Sequence, residues 1–218
     1  VRVYDDYGRL SSVSSYSQSN PTIGSDTPLN EVAYEYTDYG ALKKDRQDHD
    51  SDVDAAGGMD TLDVLFGYDE TSASGVFSHL RRNKMTYPNG REVHFLYTGG
   101  SSGFSGDLSR VSAIANASTR GTDDANVIVS YDYAGVGSVV RKDYTTPDIR
   151  LDYWGGTTGT YDGFDRFGRT AEQCWERYDG SGNSDGDIFF IKHGYDKASN
   201  RLYADRQVDA YKSRSQFY

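Results

Sequence analysis

Apolar and polar residues alternate with a period of two along many short stretches of this chain, among them Val1 to Tyr4, Glu92 to Tyr97 (EVHFLY) and Asn126 to Tyr133 (NVIVSYDY). That period puts successive side chains on opposite faces, so these stretches read as strands rather than helices. Between them one turn pattern recurs. An aromatic residue is followed about four positions later by Gly or a similar turn residue, and then by another extended run. The copies are Tyr4 to Leu10 (YDDYGRL), Tyr36 to Leu42 (YTDYGAL), a shortened Tyr87 to Val93 (YPNGREV), Tyr133 to Val139 (YAGVGSV), Phe164 to Thr170 (FDRFGRT) and Tyr195 to Leu202 (YDKASNRL). Internal repetition of this kind marks one supersecondary unit copied along the chain.

Each copy has the chemistry of a hairpin turn. In the first, Asp5 can hydrogen-bond backbone further on, and Gly8 accepts the positive φ that other residues resist, which predicts a type I turn closed by a Gly bulge. The equivalent positions are Gly40, Gly90, Gly137, Asp165 with Gly168, and Asp196 with Asn200. Tyr4, Tyr36 and a degenerate Tyr68-Asp69 are 32 residues apart, and Tyr133, Phe164 and Tyr195 are 31 apart. A hairpin needs only about 15 to 20 residues, so each period holds two hairpins or one hairpin with a long loop. The expected loops are residues 17–28, the acidic run Asp45 to Gly58 and the Gly/Ser-rich run Gly99 to Gly106, with Ser118 to Asp124 and Asp179 to Asp187 as further exposed turns. Asp107 reads as the cap of one helical turn before Val111.

These linked motifs, with the connecting MTYPNGREV, LSRVSAI and FDRFGRT segments, resemble the RHS or YD-repeat family of very large bacterial proteins, related by repeat type to the animal teneurins. The resemblance runs from Tyr4 to about Arg206. It implies an all-β fold of antiparallel hairpin repeats in a curved or spiralling sheet, a segment of a hollow shell, tube or filament, with the repeat tyrosines packed between neighbouring hairpins. It also implies secretion or display at the cell surface, and in some members a shell around a toxic C-terminal segment. The DPxGL-type self-cleavage motif and a recognisable toxin domain are both absent from this sequence.

Composition changes the picture of the core. Leu, Ile, Val and Phe number only 40 of 218 residues, and the 19 Tyr and 2 Trp must make up the deficit. An aromatic side chain buries roughly 150 to 250 Å², so a tyrosine-lined core with a wet rim is expected. A net charge of −10 without a continuous basic stripe argues against nucleic acid and against an anionic membrane surface. No apolar run approaches the roughly 20 residues that span a bilayer as a helix. Cys174 is alone, so no intrachain disulfide forms, and beside Trp175 it reads as a small core residue. The chain starts and stops inside the repeat pattern, which reads as one repeat region, residues 1–218, cut from a larger protein.

Candidate chemistry is sparse. Gly99-Gly100-Ser101-Ser102-Gly103 matches the serine-hydrolase elbow, but no helix start follows it. Asp48, Asp50, Asp52 and Asp54 alternate, as do Asp179, Ser181, Asn183, Asp185 and Asp187, yet neither run has the Gly and Glu of an EF-type loop. An irregular calcium site is the alternative to a solvated loop there, and no other cofactor is expected. The histidines at 49, 79, 94 and 193 lack metal-ligand spacing. Paired carboxylates occur at Asp5-Asp6, Asp123-Asp124 and Asp162 with Asp165, and glycosidases use two such groups, but the aspartates of the repeat motif already have a turn role. Tyr153, Trp154 and Trp175 form the set for stacking on sugar rings, weighed against filling the sheet interface. Asn116-Ala117-Ser118 fits an N-glycosylation acceptor. A sheet that grows by hairpins leaves free edges, so the expected partners are the rest of a parent repeat chain, copies of itself, or glycans. The expected function is non-catalytic: a structural scaffold in an extracellular shell or self-assembling fibre, with a carbohydrate-binding or adhesion module and the wall of a toxin-enclosing shell as alternatives.

Overall fold

The computed structural model describes residues 1–53, 61–69, 78–97, 108–153, 163–179, 182–208 and 212–217. Two compact units divide the chain, Val1–Phe95 and Leu96–Tyr218. The first contains strands β1 (Arg2–Tyr4), β2 (Leu10–Ser15), β3 (Asn30–Tyr36), β4 (Leu42–Asp48), β5 (Leu62–Asp69), β6 (Ser78–Thr86) and β7 (Glu92–Leu96, ending at the boundary). The second contains β8 (Ala113–Ala115), β9 (Val127–Ala134), β10 (Ser138–Tyr144), β11 (Ile149–Asp152), β12 (Glu172–Tyr178), β13 (Ser184–Tyr195), β14 (Arg201–Val208) and β15 (Lys212–Phe217). Within each unit every strand pairs antiparallel with the next in sequence. The all-β antiparallel fold expected from the alternation is therefore the fold found. The only helical piece among the described residues is one 3₁₀ turn, Thr122–Asp124, inside an expected exposed turn. No helix among them is long and apolar enough to cross a membrane.

Register explains why charged residues sit inside strands. Arg150 stands opposite Asp143 on one side and Glu176 on the other, and its guanidinium donates to both, at 2.7 and 3.2 Å. In the first unit, Arg46 pairs with Glu35 and Lys44 with Asp63 across adjacent strands. Such ladders of opposite charge suit one face of a sheet, while Val129, Tyr144 and Ile149, or Leu151, Trp175 and Phe189, follow each other across the other face. The expected acidic loop at Asp45 to Gly58 is corrected accordingly. Asp45 to Asp48 belong to β4, because Arg46 and Asp48 find partners across the ladder; the stretch from 54 to 58 lies outside the described residues.

The core also differs from expectation. Its buried apolar members among the described residues are Val93, Ala113, Ala115, Val127, Val129, Val140, Leu151 and Ala204, with no tyrosine. A tyrosine ring is long enough to reach from one strand to the next hairpin while its hydroxyl stays at the rim, so most motif tyrosines are half-buried instead. Close backbone approach is tightest at Gly163, where a Cβ would lie 2.4 Å from the Tyr153 carbonyl oxygen and 2.8 Å from that of Glu172. Gly163→Ala is expected to destabilise the fold by about 1–3 kcal/mol, read as a lower denaturation midpoint with an unchanged denaturant slope.

Candidate functional site

The features this chain repeats are its turns and the joints that follow them. In the turn Asp5 to Gly8, Gly8 N–H donates to the Asp5 carbonyl at 2.9 Å and Asp5 N–H to the Arg9 carbonyl at 2.8 Å. Asp5 Oδ1 accepts from the backbone N–H groups of Tyr7 and Arg9, and Oδ2 from Arg9 Nε at 2.6 Å. Gly8 has φ 78°, and the ladder shifts by a bulge between Val3 and Tyr4. The turn Asp165 to Gly168 repeats each contact: Phe167 and Arg169 N–H groups bond Oδ1, Arg169 Nε bonds Oδ2 at 2.6 Å, and Gly168 has φ 74°. Turn chemistry of this kind is what the Asp and Gly positions predicted.

Other copies keep the geometry with substituted parts. At Tyr36, the turn begins on Thr37, whose hydroxyl accepts from Ala41 N–H, and Gly40 has φ 84°. At Tyr195, the left-handed residue is Ser199 (φ 68°), and Asn200 takes the place of arginine, its amide bonding Asp196 Oδ2 at 2.9 Å. In the fourth copy the positive φ belongs to Gly135 rather than Gly137, because β9 runs on to Ala134 and pairs it with Ser138. Tyr87 is the first residue of its turn, not the residue before it: its N–H bonds the Arg91 carbonyl and its carbonyl accepts from Gly90, which has φ 78°. It therefore stands where Asp5 stands, and Thr86 stands where Tyr4 does.

One copy escaped the sequence reading. Asp179 and Asn183, expected within an exposed turn with an irregular calcium site as the alternative, make the repeat-turn contacts: Asn183 N–H and amide bond Asp179 Oδ1 and Oδ2, and Gly182 has φ 81°. Its signal was Tyr178-Asp179 followed by Asn183, the same spacing as Tyr195-Asp196 and Asn200. The Asp48 carboxylate is likewise used locally, accepting from Asp50 N–H, Ser51 N–H and the Thr61 hydroxyl. Asp54, Trp154, Asp162, the Gly99 to Gly103 motif and the Asp107 cap lie outside the described residues, and Leu108 and Ser109 form a turn in which Ser109 has φ 52°.

Where one hairpin meets the next, a single joint appears four times among the described residues. The β2–β3 ladder ends at Ser12 and Ala33; three residues past Ala33, the Tyr36 hydroxyl donates to the carbonyl of Leu10, two residues before Ser12, at 2.8 Å. The same offsets place Tyr68 on Leu42 beyond Lys44 and Leu65 at 2.8 Å, and Tyr133 on Val111 beyond Ala113 and Ser130 at 2.8 Å. They also place Tyr195 on Thr170 beyond Glu172 and Lys192, at 2.9 Å. In three of these joints the residue before the acceptor is an arginine whose guanidinium covers the incoming ring: Arg9 on Tyr36 at 4.4 Å, Arg110 on Tyr133 at 4.8 Å and Arg169 on Tyr195 at 4.5 Å. A hydroxyl bond contributes about 0.5–1.5 kcal/mol net, and an exposed cation–π contact about 0.5–1 kcal/mol. Tyr178 uses a variant, donating to the Tyr144 carbonyl with Arg150 over its ring. Phe164 has no hydroxyl and stacks on Tyr153 at 5.0 Å, while Tyr4 is 55% exposed.

The remaining candidates lie in several different settings. Tyr153 is stacked on Phe164 and Trp175 on Tyr144, at 6.1 Å, so the two sit in separate aromatic pairs. Asp124 is clamped by Arg120 through two bonds, at 2.6 and 2.8 Å. His94 sits in β7 against Glu92. Asn116 and Ser118 of the acceptor sequence are exposed. Cys174 is half-buried on the charged face opposite Asp152 rather than in the core. Burial first, and then Asp187, Glu176 and Glu172, push its thiol up to about 12. Since the thiolate is the reactive form, Cys174 should react with a disulfide reagent hundreds of times more slowly in the folded protein than in denaturant near pH 8.

The turn carboxylates have a pH signature. At Asp5 and Asp165, desolvation acts upward, but the N–H donors and the following arginine outweigh it and hold the carboxyl below the ordinary value. At Asp196 the Asn200 side chain and N–H do the lowering. A group more acidic folded than unfolded stabilises the fold above its unfolded pKa, and that contribution disappears as pH falls through the folded pKa. Thermal stability should therefore decline below about pH 4, and Asp165→Asn should flatten that decline while lowering stability at pH 7. Tyr195→Phe should cost about 0.5–1.5 kcal/mol in chemical denaturation, with non-additive coupling to Arg169→Ala in a double-mutant cycle.

No family of known proteins matches the chain, and no curated protein matches it. Among solved structures, a chain in the crystal structure of TcdB2-TccC3-TEV superposes with a TM-score of 0.50 at 12% identity, over 95% of this chain and 10% of that one. A chain in the structure of the Photorhabdus luminescens Tc holotoxin pore with a TccC3 mutation gives 0.50 at 13% identity, over 96% of this chain and 10% of that one. This chain thus spans about a tenth of the length of those solved chains, and what it shares with these Tc toxin components is their antiparallel β fold.

Proposed function

We propose that this chain is a length of wall in a β-repeat shell of the RHS type, a non-catalytic scaffold placed outside the cell or at its surface. The observation that carries the reading is the joint, repeated with the same ladder offsets four times among the described residues. A sequence that devotes its recurrent Asp, Gly, Arg and Tyr residues to joining each hairpin to the next is built to continue a sheet. Repeat proteins of this type gain stability from neighbour contacts and extend by adding units. The partners under this reading are other hairpins of a larger repeat chain, or further copies. Because the matched assemblies include a Tc holotoxin, a shell that encloses a toxic polypeptide is the form to test first. Electron microscopy of the native protein that contains this sequence should show hollow particles whose wall is one β layer. Solid fibres, or separate globular domains without a lumen, would overturn the proposal.

A further inference from the structure

The four joints are not equal. At the β4–β5 joint the residue before the acceptor carbonyl is Ala41 rather than arginine, and the turn that would anchor such an arginine begins with Thr37 rather than Asp. Tyr68 keeps its hydroxyl bond to Leu42, but the position that seats a guanidinium on Tyr36, Tyr133 and Tyr195 is here an alanine, which carries no cation. The β2–β3 and β4–β5 ladders hold the same number of residue pairs, four each, so backbone bonding does not compensate. The Lys44 to Asp63 ion pair that crosses β4–β5, at 2.8 Å, has a counterpart across β2–β3, where the Ser14 hydroxyl donates to the Glu31 carboxylate at 2.8 Å. Contact with Thr61 ties Asp48 only at the far end of the ladder.

We propose that the β4–β5 joint is a built-in parting line in the first unit, where the hairpins β1–β4 separate from β5–β7 as blocks before either block loses its own ladders. Local opening follows the weakest set of side-chain contacts between cooperative segments. Loss of the arginine that precedes the acceptor, with its turn carboxylate, removes the contact that distinguishes the joints. In a sheet made by adding hairpins, such a line sets where the layer can hinge or open without unfolding. Breathing of this kind is a property of the chain itself and occurs whether or not the chain belongs to a shell.

Amide hydrogen exchange, expressed as protection factors and measured on the full chain, tests it. Amides bonded across β4–β5 should exchange roughly two- to fivefold faster than those bonded across β2–β3, the ratio that one exposed cation–π contact sets. The double variant Thr37→Asp/Ala41→Arg restores the missing pair and should slow β4–β5 exchange by a similar factor while leaving β2–β3 unchanged. Arg9→Ala should bring β2–β3 up to the β4–β5 rate, and it decides the matter alone if the double variant does not fold. Equal or greater protection across β4–β5 in the natural sequence overturns the proposal, as does a folded double variant with unchanged exchange.

Discussion

The structure depends on a hydrogen bond from a tyrosine hydroxyl to a main-chain carbonyl at the place where two strands begin to diverge. A turn closed by a left-handed residue inserts a bulge, and the bulge ends the ladder to the next hairpin two residues early. The carbonyl exposed there, such as that of Leu10 or Thr170, would otherwise face the rim with no strand partner. A tyrosine three residues past the last pair has the reach to satisfy it. Phenylalanine would supply the ring without the bond, and a shorter hydroxyl residue could not span the gap. Twist and bulge create the vacancy, and the repeat tyrosine fills it.

Arginine does three jobs with one side chain. Arg9 closes its own turn by bonding Asp5, faces the exposed turn ring of Tyr7 at 5.0 Å, and covers the ring of Tyr36 from the next hairpin at 4.4 Å. Arg169 does the same with Asp165, Phe167 and Tyr195, and donates further to the Asp196 carbonyl and the Ser199 hydroxyl. A planar guanidinium suits this because it can stack on a ring while its edge donates in plane. The turn is thereby coupled to the joint, so the Asp that shapes one hairpin also positions the cation that holds the next. Where Thr37 and Ala41 replace the pair, the turn survives on its Gly and hydroxyl and the Tyr68 bond survives without a guanidinium, so the pair reinforces turn and joint alike.

Scarcity of aliphatic residues has a structural counterpart. Within each unit the strands form one antiparallel sheet, and the buried apolar positions among the described residues are mostly small: Val, Ala and a single Leu. Much of the remaining cohesion lies in half-buried rings, in opposite charges aligned by register such as Asp143, Arg150 and Glu176, and in the joints. An acidic chain tolerates this because carboxylates such as Asp5, Asp124 and Asp165 are each bonded to arginine or to backbone N–H groups. Their acidity is spent on geometry.

The period-two alternation and the Asp-x-x-Gly turns were legible as hairpins because both are local: a φ above zero and an Asp two residues from an N–H need no distant partner. Local signals misled where only pairing could decide. Gly137 and Gly135 are equally good turn glycines until β9 pairs Ala134 with Ser138. Asp45 to Asp48 look solvated until Arg46 meets Glu35 and Asp48 meets Thr61, and Asp179 shows its turn role only once Asn183 bonds both its oxygens. By itself, the sequence determined strand character, turn positions and a repeating unit, since these follow from the side-chain period and backbone sterics. Only the tertiary structure decided that each joint tyrosine reaches back to the preceding strand, because that bond depends on where a ladder ends, and a ladder ends where twist and bulge pull neighbouring strands apart.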